Sequence, residues 1–310
     1  MISENEEYSS CKAIELGLDD RWYQDPKTFS KKKVIAEVAV FLAVTFGLMM
    51  TFGWKAYPEN ITETKISGWQ NLCYYLSAFS PAIGSIVARY VFREGFRDDS
   101  LFPKFTGNFK GYLMAFVLPI VFGIINCVLI TFSLKAGFTF KDGNGILDVI
   151  AAVSLYSSNA YIAFFILIGE ELGWRGFLYD KLEVLFGLTG SIVIGGVIWG
   201  LWHIPPLITI GLDFGKDAPG FPVTNIILMC VFCVGGGAVL QLLKKLTDSV
   251  VAPIIAHAII DTVCNALALL FISGEMAKDN QFAMGCCLLV SSMIVGIPCY
   301  LYMLRNRKTV

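Results

Sequence analysis

Three groups of ionisable residues fall inside otherwise apolar stretches of this chain. The first is Gly169-Glu170-Glu171-Leu172-Gly173-Trp174-Arg175. On a helix, neighbouring residues point about 100° apart, so Glu170 and Glu171 face different surroundings. Glu171 and Arg175 are four apart, share a face and can pair. Glu170 has no local partner, and a carboxylate in a low-dielectric site suits the work of a general base. The second group is Trp199-Gly200-Leu201-Trp202-His203-Ile204-Pro205-Pro206, where tandem prolines should end the helix just after His203. The third holds His257 and Asp261, also four apart, so the carboxylate can orient the imidazole and fix its tautomer. The chain has two histidines, and both stand in these groups. Carboxylates with imidazoles can activate water, relay protons or hold zinc; a zinc site would draw on Glu170, His203 and His257.

The elements that position these groups must be membrane helices. Of 310 residues, 55% are hydrophobic and only 16% charged, and the mean hydropathy is +0.64. Soluble domains carry about 25% charged residues, so this chain could not cover its surface in water. The net charge of −1 gives no basic field for phosphates, which excludes nucleic acid as a partner. Eight apolar runs are long enough to span a bilayer: 34–53, 70–92, 111–134, 149–172, 187–209, 222–243, 249–273 and 282–304. Backbone groups in lipid must pair within their own segment, so the expected fold is all-α, a polytopic membrane bundle of about eight transmembrane helices. Residues 1–33 read as a cytosolic arm without a signal peptide, 34–304 as one transmembrane domain and 305–310 as a cytosolic tail. From Lys27 onward and leaving aside Arg175 of the motif, segments on the N-terminal side of the bundle carry fourteen Lys and Arg against six on the opposite side, so both termini are expected in the cytosol. Asn60-Ile61-Thr62 is a formal glycosylation sequon on the far side.

Most of the nine cysteines lie in apolar runs and read as small packing residues, Cys230 and Cys233 included. Gly196 and Gly200 have the spacing of a close helix contact, and Gly235-Gly236-Gly237 should weaken its helix. A tight turn is expected near Phe186-Gly187. Glu170 lies 17 residues before Gly187 and His203 lies 16 after it. In an antiparallel hairpin both then stand about 24–26 Å from the turn, at matching depth.

At these motifs the sequence resembles the CPBP family, the type II CAAX prenyl endopeptidases and bacteriocin-processing (Abi) proteins. The family pattern EExxxR, an aromatic in FxxxH, and HxxxN or HxxxD reads here as Glu170-Glu171-x-x-x-Arg175, Trp199-x-x-x-His203 and His257-x-x-x-Asp261, within about residues 145–272. Trp199 stands where Phe is usual. Asp261 stands where prenyl endopeptidases tend to have Asn and bacterial relatives often have Asp. Ionised Asp cannot donate a hydrogen bond, so Asp261 either is protonated at an oxyanion or orients His257.

The resemblance implies an intramembrane endopeptidase of the glutamate type. Glu170, aided by His203, would activate water; His257 with Asp261 would stabilise the oxyanion; Glu171, Arg175 and Trp199 would support them. It implies a membrane-associated peptide or protein as substrate and no cofactor, with zinc as the alternative. Short loops, no organelle signal and Asp261 point to a bacterial plasma membrane. Two other readings remain: a non-catalytic immunity or scaffold protein of the same fold, and a transporter, which the lack of an internal repeat disfavours.

Overall fold

The computed structural model describes residues 30–57, 67–94, 100, 102–135, 163–264 and 274–306. The N-terminal arm, the Asn60 sequon and parts of the expected spans 149–172 and 249–273 lie outside the described residues. The described elements are helical throughout. In order they are α1 Lys31–Ala56, α2 Gly68–Ala78, α3 Ser80–Val91, α4 Phe109–Leu134, α5 (163–173), α6 Tyr179–Trp202, α7 Ile204–Thr209, α8 Val223–Thr247, α9 Val251–Ile259, α10 Gly274–Asp279 and α11 Gln281–Arg305. A π turn, Trp174–Leu178, joins α5 to α6, and another, Ile260–Cys264, follows α9. Five stretches are long and apolar enough to cross a membrane: Lys31–Ala56, Phe109–Leu134, Ala163–Trp202, Val223–Thr247 and Gln281–Arg305.

Ala163–Trp202 is a folded-back pair rather than one rod. Gly187 breaks it at φ 70, ψ 176, a left-handed backbone that favours glycine. Beyond the break the chain returns along itself: Ser191 Oγ donates to the Tyr179 carbonyl at 2.6 Å, and the Arg175 guanidinium lies over the Trp199 ring. The turn expected at Gly187 is therefore present, and the hairpin carries two expected spans. The expected span 70–92 is α2 plus α3. A Ser67–Gln70 capping box starts α2, and Pro81 opens α3 in its first turn, where its missing N–H is tolerated.

Small residues let the helices around the site approach closely. A Cβ on Gly196 would meet Val234 Cα at 2.5 Å, and one on Gly200 would meet Cys230 Cα at 2.5 Å, which is the close contact their spacing predicts. α8 runs unbroken through Gly235–Gly237. Gly235 admits the backbone of α11 at Ser292, and Gly237 admits the Tyr179 hydroxyl. Packing here outweighs the propensity cost of about 1 kcal/mol per glycine.

Gly173 sets the seat of α5 on α3: its Cβ would stand 2.4 Å from the Pro81 carbonyl carbon. Gly173→Ala is expected to lower stability by about 1–3 kcal/mol, because backbone rather than a flexible side chain must move. Thermal unfolding in detergent measures it, and an unchanged Tm would contradict this seating.

Where α1 begins and α8 ends, the bundle is closed by buried ion pairs. Lys181 Nζ bridges Glu37 Oε2 at 2.8 Å and Glu94 Oε1 at 2.7 Å. Lys245 pairs with Glu183 at 3.0 Å, and Lys244 pairs with Asp180. Arg89 donates to the Gly176 carbonyl at 2.8 Å. The inner half of the hairpin, which must reach the bilayer surface, is thus locked to α1, α3 and α8.

Candidate active site

Trp199 is the hub of the site. It lies on the returning arm of the hairpin, opposite α5, and its indole N–H donates to Glu170 Oε2 at 3.1 Å. Its backbone carbonyl faces His203 Nδ1 at 2.9 Å. A carbonyl only accepts, so Nδ1 carries the proton and Nε2 of the neutral ring keeps its lone pair. His203 occupies the turn between α6 and α7, because Pro205 and Pro206 cannot continue α6 and instead open α7.

Glu171 serves a different partner from the one its neighbour serves. Its Oε1 accepts from Arg175 Nη1 at 2.8 Å and from His257 Nδ1 at 2.8 Å, on α9. Glu171 and Arg175 are wholly buried, and His257 is 6% exposed. The guanidinium is held between two aromatic faces, Trp199 at 4.4 Å and Tyr179 at 4.8 Å from the ring centroids. With Nδ1 committed to Glu171, His257 turns Nε2 toward Asp261, whose Oδ2 lies 3.6 Å away. The Asp261 side chain is 48% exposed.

The structure therefore gathers the expected residues into two linked sets. Glu170, Trp199 and His203 form one. Glu171, Arg175, His257 and Asp261 form the other, and Trp199 touches both, with His257 edge-on at 5.2 Å. The Glu171–Arg175 pair contacts His257, while Trp199 contacts Glu170. The two π turns directly follow Gly173 and Ile259, so each widened turn adjoins a motif.

Sequence reasoning missed Tyr179, whose signal was its place four residues after Arg175 on the same face. It also missed Tyr57 and Tyr74. Their rings meet edge-on at 5.9 Å, and both lie within electrostatic reach of Glu170. Asp213, between Gly211 and Gly215, takes a left-handed φ of 59 in the loop after α7. Its side chain is exposed in that loop. Cys230 and Cys233 are free thiols, consistent with packing residues. Among the described residues no three His, Cys, Asp or Glu side chains are arranged as ligands of a metal ion. Nδ1 of both imidazoles is engaged, which leaves Nε2 of each ring open.

Residues 152–263 match the family described as type II CAAX prenyl endopeptidase Rce1-like. A stretch of 91 residues is 28% identical to a protein of Methanococcus maripaludis named CAAX prenyl protease 2. The match spans 28% of this chain and 33% of that relative. The matched region contains the hairpin, Glu170, Glu171, Arg175, Trp199, His203, His257 and Asp261. By its motifs and this match, the segment of the chain that builds the site is similar to the type II CAAX prenyl endopeptidases.

Proposed function

We propose that the protein is an intramembrane endopeptidase that hydrolyses peptide bonds of membrane-associated peptides or proteins, without a metal, in a bacterial plasma membrane with both termini cytosolic. Glu170 accepts a proton from water, with His203 Nε2 as the second acceptor of the pair. The oxygen attacks the scissile carbonyl, and the captured proton passes to the leaving amine. His257, doubly protonated as the imidazolium between the carboxylates of Glu171 and Asp261, donates its Nε2–H to the developing oxyanion. Asp261 then orients the ring, a role open to an ionised carboxylate. The observation that carries this reading is the division of labour around Trp199. One carboxylate is held singly beside a base-ready imidazole, and the other is spent on fixing a second imidazole.

The test is cleavage of membrane-anchored peptides by purified protein, with Glu170→Gln and a chelator in parallel arms. The expected result is cleavage that survives chelation and falls by about 10²–10⁴-fold in Glu170→Gln. Normal turnover by Glu170→Gln would overturn the mechanism, and loss on chelation would overturn its metal independence.

A further inference from the structure

We propose that Ser80, at the joint between α2 and α3, is a positioning residue of the site: it holds the Trp202 indole, and through that ring it sets the direction of the His203 imidazole. The importance of that direction for proton transfer rests on the peptidase reading; the orientation itself does not.

The imidazole needs such a hold. Its bond to the Trp199 carbonyl fixes which nitrogen carries the proton. A carbonyl accepts over a broad range of directions, and the outer torsion of a histidine side chain is broad as well. That bond alone therefore leaves the direction of Nε2 loosely set.

The two indoles of the returning arm add the walls. The Trp202 ring meets the imidazole at 4.9 Å between centroids with the planes 85° apart, an edge-to-face contact, while the Trp199 ring stands farther off at 6.0 Å. A wall orients what it touches only if it is itself fixed. Trp202 is 4% exposed, and Trp174 meets it edge-on at 5.9 Å. Its indole N–H donates to Ser80 Oγ at 2.9 Å, across 122 residues of chain. A buried indole N–H is costly to leave without a partner, so this bond selects the orientation of Trp202. A buried serine can commit its hydroxyl to its own helix, as Ser85 does to the Ala82 carbonyl. Ser80 Oγ instead receives the indole beside His203.

The joint that carries Ser80 is seated on the hairpin. Phe79, Ser80 and Pro81 are consecutive, and none belongs to a motif. A Cβ on Gly169 would stand 2.9 Å from Phe79 Cα, and one on Gly173 would stand 2.4 Å from the Pro81 carbonyl carbon. The flanking residues thus abut α5 just before Glu170 and just after Glu171, while Ser80 reaches the returning arm at Trp202. From α1, Thr45 Oγ1 donates to the Ser80 carbonyl at 3.4 Å, and Ser80 is wholly buried. One fixed joint therefore registers His203 on one arm against Glu170 on the other.

Ring-nitrogen NMR tests this on the full-length protein in lipid vesicles. The chain has two histidines, so isotope-labelled histidine gives two imidazoles, and His203→Gln tells them apart. Wild-type His203 should show one neutral tautomer, protonated at Nδ1. In Ser80→Ala, and separately in Trp202→Phe, its ring signals should broaden or split while those of His257 stay in place. On a membrane-anchored peptide, kcat should fall about 3–10-fold in each variant with KM unchanged. The double variant should fall no further than the lower single one, because both changes remove the same bond. Unchanged His203 signals in Ser80→Ala, whatever its Tm, would overturn the proposal and leave Ser80 as packing. So would additive losses in the double variant, or disturbed ring signals with kcat and KM intact. If the ring signals respond as expected while even the wild type cleaves nothing, Ser80 still positions His203 and the peptidase reading falls.

Discussion

Glu171→Gln will cost far more stability than Glu170→Gln, although the two carboxylates are adjacent in the chain. Glu171 Oε1 takes hydrogen bonds from both Arg175 and His257 at a site with no solvent exposure. Arg175 Nε and Nη2 already lack hydrogen-bond partners, so no spare acceptor can replace the lost charge. Removing one partner of a buried pair leaves an uncompensated charge and costs about 3–5 kcal/mol. Glu170 receives one hydrogen bond, from the Trp199 indole, which a glutamine oxygen can still accept. Thermal unfolding in detergent should therefore show a large drop in Tm for Glu171→Gln and a small one for Glu170→Gln, while both lose cleavage. Equal Tm shifts would mean that Glu171 does not carry the buried network.

Trp199→Phe separates the hub's two duties. Phenylalanine keeps an aromatic face for the Arg175 guanidinium and keeps the backbone carbonyl that fixes His203. It loses only the N–H that holds Glu170. A hydrogen bond to a charged group is worth about 1.5–3 kcal/mol, which is about 10–100-fold in rate if it acts at the transition state. The expected result is a fall in kcat of that order with KM and Tm near wild type. A KM effect with unchanged kcat would assign Trp199 to substrate binding instead. Trp199→Leu, which also removes the aromatic face, should lower Tm as well, since the buried cation then loses one wall of its enclosure.

Local spacing carried much of this arrangement and long-range packing carried the rest. The pairs Glu171–Arg175 and His257–Asp261 were legible because a helix fixes where residues four apart stand. The matching depth of Glu170 and His203 followed from one glycine turn and a constant rise. The bond from Glu171 to His257 was not legible, since it depends on how α9 packs beside α5, 86 residues away in sequence. The hub role of Trp199 was hidden for a similar reason: its indole reaches across the hairpin, and an aromatic residue in an apolar helix normally reads as packing. The space that Gly235 and Gly237 leave for neighbouring chain was not legible from propensity alone. Asp213 lies in a loop whose local sequence says only turn.

The ion-paired layer at the closed end has an electrical meaning. Lys181, Glu37, Glu183 and Lys244 are buried there, each beside an opposite charge. A charge moved across the full membrane potential changes energy by about 2.3 kcal/mol per 100 mV. The layer holds opposite charges in close pairs, which present almost no net charge to the field and so keep this end of the bundle still as the cell's voltage varies.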